Sequence, residues 1–143
     1  MTAAETGHLV IGTLHTVDAA QSVDRIIDVF PAAQQHQIRL QLSQVLDAVL
    51  SQTLLPAVDG GRRVAAFEIM IMNKLISRLI REEKSFEITQ NIEMGRPDGM
   101  QSMDQALATL VKDGIVLESE AMKKTSNPAK LKEWISPHPG TSY

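Results

Sequence analysis

The sequence predicts a mixed α/β chain with few strands, two of them in a hairpin, followed by a bundle of helices. Three observations carry that expectation. An apolar run too short for a helix, His8-Leu9-Val10-Ile11-Gly12-Thr13-Leu14, reads as a buried strand. A turn cluster, Asp59-Gly60-Gly61, separates two further strand-like runs. From Asn73 onward, apolar residues recur at helical spacing.

The first strand ends in the polar pair His15-Thr16. Asp18 is placed to cap a helix whose apolar residues are Ala19, Val23, Ile26, Ile27 and Phe30, and Pro31 ends it. A second helix sets Ile38, Leu42, Val45, Leu46 and Val49 on one face, opposite a Gln-rich face from Gln34 to Gln44. Around Ser51 to Leu55 the period shortens. Leu54-Leu55-Pro56 and Val64 to Met70 then form the arms of the hairpin. Leu75, Ile76, Leu79 and Ile80 make the inner stripe of a short helix. After a polar loop from Gly95 to Gly99, Ser102-Met103-Asp104-Gln105 has the form of a capping box, and Gly114 is placed to end its helix. Ser119 is a candidate cap for another short helix, and Leu131 to Ile135 makes a last turn or two. The expected organisation is an α/β part over 1–72, a helical subdomain over 73–135 and a loose tail over 136–143.

Composition narrows the class. Hydrophobic residues make up 43% of the chain but aromatics only 3%, with seven Met, so the core must be aliphatic. A net charge of −3 leaves no electrostatic footprint for nucleic acid or anionic lipid. No stretch approaches the roughly 20 apolar residues of a membrane span, and the first residues carry no basic signal region. The absence of Cys excludes disulfides and thiolate metal sites and fits a reducing compartment. The expectation is a soluble, cytoplasmic protein with no metal site and no membrane insertion. A buried strand needs neighbours for its backbone hydrogen bonds, and residues 1–7 are too few to supply one. Further strands are therefore expected to precede this sequence in a longer protein.

In open α/β sheets, ligands bind at the carboxyl ends of strands. Gly12-Thr13-Leu14-His15-Thr16 sits at such an end, directly before a helix. A neutral imidazole there can donate a hydrogen bond to a terminal phosphate oxygen and so report its presence. His8 and His15 also admit a purely structural reading, and His36 and His138 have no other. The chain holds no phosphate loop. Gly7 and Gly12 have the glycine spacing of G-x-x-x-x-G-K-[ST], but Thr13 stands where Lys is required. Gly60-Gly61-Arg62-Arg63 is a turn, and Ile26-Ile27-Asp28 is helical in period, so neither supplies a cradle or a Mg²⁺-holding strand edge. No zinc motif, nucleophile elbow or dinucleotide fingerprint occurs.

Several segments carry a family likeness. Thr2 to Val10 followed by Gly12-Thr13-Leu14-His15-Thr16 resembles the histidine box of the type IV pilus and type II secretion ATPases. The resemblance continues through Asp24 to Pro31, Arg63 to Met70, Leu79-Ile80-Arg81-Glu82 and Gly99 to Asp104, in the family's order. Members that drive secretion or pilus assembly commonly carry a four-Cys zinc insertion where this chain has only Pro56 to Gly61. The retraction (twitching-motility) branch is therefore favoured. Leu75 to Glu82 corresponds to that branch's AIRNLIRE motif: Ile76, Leu79, Ile80, Arg81 and Glu82 agree, while Leu75, Ser77 and Arg78 depart.

The resemblance implies the C-terminal part of a RecA-like P-loop ATPase domain, in a family whose members form hexameric rings and carry a PAS-like N-terminal domain. Its phosphate loop and acidic Mg strand precede the histidine box, so this chain alone is expected neither to bind ATP tightly nor to hydrolyse it. By the same resemblance, His8 and His15 are the box histidines, with His15 contacting the γ-phosphate and Gly12 and Thr16 shaping the strand end. The motif helix would couple nucleotide state to pilus retraction. Its residues are equally the buried stripe and solvated face of an amphipathic helix. In the intact protein, ATP and Mg would be the cofactors, and a pilus platform protein at the inner-membrane face the partner. The competing reading is a non-enzymatic binding module, or a divergent paralogue, that docks to pilus or secretion machinery through its helical half.

Overall fold

The structure, a computed structural model, describes residues 1–136. Its elements are α1 (Thr2–Glu5), α2 (Ala19–Asp28), α3 (Ala32–Val45), β1 (Ala48–Pro56), β2 (Arg63–Ile71), α4 (Lys74–Arg81), α5 (Ile88–Met94), α6 (Met103–Lys112), α7 (Glu118–Met122) and α8 (Pro128–Ile135). The expected loose tail from 137, with His138, lies outside the described residues. The fold is mixed α/β, built on a two-stranded antiparallel hairpin.

The hairpin pairs Ala48 with Ile71 at its open end and Pro56 with Arg63 at its turn, where Gly60 takes a φ of 69°. Alternation sends Ser51, Leu55, Ala66, Glu68 and Met70 inward, while Leu50, Leu54, Phe67 and Ile71 face out. Two apolar clusters share that inner face. Met70 joins Val23 and Ile27 of α2, Leu42 of α3, Ile76 and Ile80 of α4, and Ile92 of α5. Ala66 and Leu55 join Leu107 of α6, Val116, Ala121 of α7 and Leu131 of α8. Outside β2, Gln101 makes a short antiparallel bridge to Ile69 through bonds of 2.8 and 3.0 Å.

Helix starts follow their capping residues. Asp18 accepts from the Gln21 N–H at 2.7 Å, and Asn73 from that of Ile76 at 2.9 Å. The capping box forms as expected, with Ser102 and Gln105 bonded reciprocally. Gly114, at a φ of 68°, follows the last turn of α6 in the left-handed conformation. Asn127 caps α8, with Pro128 in the first helical turn.

Four sequence expectations need correction. Residues 8–14 form no strand: they are irregular, and Leu9 and Ile11 are 82% and 85% exposed. Among the described residues no strand lies beside this run to take its backbone groups, so it has nothing to bury against. Val49 belongs to β1, not to the second helix, because the backbone turns extended at Leu46, where ψ is 125°. Leu75 is 48% exposed; in α4 the inward direction is set by Ile76, Leu79 and Ile80 at i, i+3 and i+4. Ser119 lies inside α7, which starts after Leu117 without a side-chain cap.

The inner face of the hairpin carries one unsatisfied group. The Ser51 hydroxyl is buried opposite Glu68 and finds no hydrogen-bond partner among the described residues. Burying an unpaired hydroxyl costs roughly 1–3 kcal/mol. Ser51→Ala is therefore expected to raise stability by about 0.5–1 kcal/mol in urea denaturation. A loss of that size would show that the hydroxyl has a partner.

Candidate functional site

The histidine-box segment leaves α1 through Gly7, whose φ of 90° turns the chain. His8 folds back on that helix end, its Nδ1 lying 3.2 Å from both the Ala3 carbonyl oxygen and the Thr6 hydroxyl. The run then extends across the surface with Gly12 in open space and His15 exposed. Order returns at Thr16. Its hydroxyl lies 2.6 Å from that of Ser22, which donates to the Asp18 carbonyl at 2.8 Å. Thr16 is thus tied to the first turn of α2, and His15 hangs immediately before that anchor. His8 is held at the opposite end of the segment, so the two histidines have separate supports.

The motif helix α4 buries Ile76, Leu79 and Ile80 in the first apolar cluster. Arg81 and Glu82 are exposed at its end. Ser77 and Arg78, which depart from the family motif, both have partners. The Ser77 hydroxyl donates to the Ser43 carbonyl of α3 at 2.9 Å and accepts from Arg81 Nη1 at 2.9 Å. Arg78 Nε donates to Glu82 Oε1 at 2.6 Å, and Lys84 reaches the other carboxylate oxygen at 3.0 Å. Hydrogen bonds from Arg78 and Lys84 hold the Glu82 carboxyl below its ordinary range.

One residue was not singled out from the sequence. Glu68 on β2 is 2% exposed, and its two oxygens accept the Ala19 N–H at 2.7 Å and the Met103 N–H at 3.4 Å. It borders a cleft of about 390 Å³ that Asp18, Thr53, Glu93, Asp104 and the Lys123-Lys124 pair also line. Lys130 of α8 engages Glu93 at the edge. Burial pushes the Glu68 carboxyl up, the nearby Asp18 and Asp104 charges add to that, and the two N–H donors oppose it. Asp104, which accepts from the Thr125 hydroxyl at 2.6 Å, is also raised by its burial. A charged residue at an inward strand position is the one signal that could have marked Glu68, since such a residue must find partners when buried. Among the described residues no cluster of His, Asp or Glu is arranged to hold a metal ion.

The raised pKa makes a signed prediction. Between the ordinary glutamate value of 4.5 and its folded value, Glu68 holds its proton more in the folded state than in the unfolded state. Its contribution to stability is complete below that window and lost as pH rises through it. Glu68→Gln removes the titration, so the variant should gain on the parent chain as pH rises from about 4 to about 7. Comparing the pair by urea midpoints cancels the opposite trend of Glu82. A variant that loses stability relative to the parent as pH rises would contradict this assignment.

Known proteins place the arrangement. Residues 1–96 match the family model described as type II/IV secretion system protein. A twitching motility protein of Neisseria gonorrhoeae is 50% identical over 131 residues, covering 92% of this chain and 35% of that protein. The type IV pilus retraction ATPase PilT of Pseudomonas aeruginosa is 48% identical over 128 residues, 90% of this chain and 37% of that protein. A solved structure of the pilus retraction motor PilT with bound ADP superposes with a TM-score of 0.81 at 43% identity, over 92% of this chain and 36% of that one. The chain thus spans about a third of the length of the relatives it matches. The family match spans the hairpin and the helices through α5, and the chain belongs to the type II/IV secretion system proteins.

Proposed function

We propose that this chain is the part of a pilus-retraction motor ATPase that senses the nucleotide and passes its state on, with the phosphate cradle supplied by sequence outside these 143 residues. The observation that carries this reading is the likeness, over 92% of the chain, to a retraction motor whose structure holds ADP. In this reading residues 1–72 are the C-terminal portion of the RecA-like core and 73–135 a helical subdomain.

In this reading His15 donates to the γ-phosphate. The Thr16–Ser22–Asp18 hydrogen bonds hold its exit against α2 while leaving the imidazole free to turn. Gly12 and Thr16 shape the end of the segment that meets the phosphate. His8 fixes the segment's entry against α1. The motif helix α4, bonded to α3 through Ser77, carries the change outward, with Arg81 and Glu82 at its exposed end. Mg-ATP then binds between this portion and the cradle, in a homo-hexameric ring at the cytoplasmic face of the inner membrane, against a pilus platform protein. Among the described residues no helix is long and apolar enough to cross a membrane.

Two measurements check the reading. The chain by itself should release no phosphate from ATP above background in the presence of Mg²⁺; clear turnover would contradict it. In a longer chain that includes a phosphate loop, His15→Ala should lower kcat on the order of a hundredfold, as loss of a donor to developing charge does. ATP affinity should change by less than about threefold. Unchanged kcat would remove the sensor role.

A further inference from the structure

The inward residues of β2 serve three different surroundings. Ala66 enters one apolar cluster, Met70 the other, and Glu68 lies between them at 2% exposure. A carboxylate at such a seam loses its hydration and must recover it from fixed donors. Its donors come from two helices distant in sequence. Ala19 is the first residue of α2 and Met103 the first residue of α6. Both N–H groups are among those a helix start leaves unpaired, at the end where the helix dipole favours an anion.

Neither helix uses Glu68 as its ordinary cap. Asp18 already takes the Gln21 N–H and Ser102 the Gln105 N–H. Glu68 takes a different N–H from each. It thereby refers two helix starts to a single strand position. On the α2 side, Thr16 is bonded into the same first turn through Ser22. On the α6 side, Asp104 is bonded to Thr125 in the segment before α8.

We propose that Glu68 is a positioning residue: one carboxylate on β2 holds the exit of the histidine-box segment and the start of α6 in fixed relation. The consequence for catalysis rests on the sensor reading of His15; the clamp itself does not. A displacement at Thr16–Ala19 must then either break the 2.7 Å bond or carry the carboxylate with it and disturb α6. The longer bond to Met103, at 3.4 Å, is the one that yields first.

Glu68→Gln keeps the size of the side chain but leaves only one acceptor oxygen. If Glu68 merely fills space, nothing changes. If it clamps, the two amides respond unequally. Amide exchange followed by NMR should show Met103 exchanging about tenfold faster. Ala19 should stay within about threefold of the parent chain, as its retained acceptor implies. Met72, which donates to the Asp47 carbonyl at 2.8 Å, is the internal reference and should not move. Glu68→Leu should release Ala19 and Met103 together. Equal protection at both amides in Glu68→Gln would overturn the clamp, and that variant decides the matter even if the Leu variant fails to fold.

The catalytic consequence is read in a longer chain that carries a phosphate loop. There Glu68→Gln should lower kcat several-fold while KM for ATP holds. Altered exchange with unchanged kcat would overturn the link to the histidine box while leaving the clamp. If His15→Ala were also without effect, it would be the sensor reading that had failed.

Discussion

The two apolar clusters meet along a hairpin that has only one face to offer them, and the carboxylate of Glu68 sits at the join. Two strands cannot bury a core between themselves, so their stability comes from helices packed on the inner face. Two of those helices, α2 and α6, start at the same strand residue. An aliphatic side chain there would have left the Ala19 and Met103 N–H groups without their carboxylate partner. A short polar side chain, like that of Ser51 opposite, would not have reached them. The requirement for two acceptors at once, on a side chain of that length, is met by a carboxylate.

This constraint explains how a segment as exposed as 8–15 can still have a defined end. The run carries Leu9, Val10 and Ile11 in the open, yet Thr16, Asp18 and Ala19 are each hydrogen-bonded into the first turn of α2 or to Glu68. An imidazole before such an anchor can turn without losing its base, which suits the phosphate-sensing role proposed for His15. The motif helix stands in a similar relation to its support. Its apolar stripe is immobilised in the first cluster, and its polar residues are bonded locally to one another and to α3. The departures at Ser77 and Arg78 do not weaken those ties, because each supplies a hydrogen bond of its own.

Much of this was legible from residues alone. Caps at Asp18 and Ser102, the stop at Gly114 and the hairpin about Gly60 follow from local rules, since each depends on neighbours within a few positions. The helix of α4 was visible as a pattern of apolar spacing. What failed depended on partners distant in sequence. The apolar run at 8–14 has the composition of a strand, but pairing is decided by what lies alongside. Leu75 looked inward by character, yet a helix of eight residues can face the core along only one stripe. Glu68 was passed over because nothing in β2 itself announces that helices starting 49 residues earlier and 35 residues later converge on it.

In the proposed function, nucleotide binding falls to a phosphate cradle that this sequence does not contain, while the residues that respond to it lie here. Calorimetric titration of the chain with Mg-ATP tests that division most directly. Without the Lys and backbone donors of a phosphate loop, no binding heat should appear up to millimolar nucleotide. A dissociation constant in the micromolar range would contradict it, and would place a cradle within these residues.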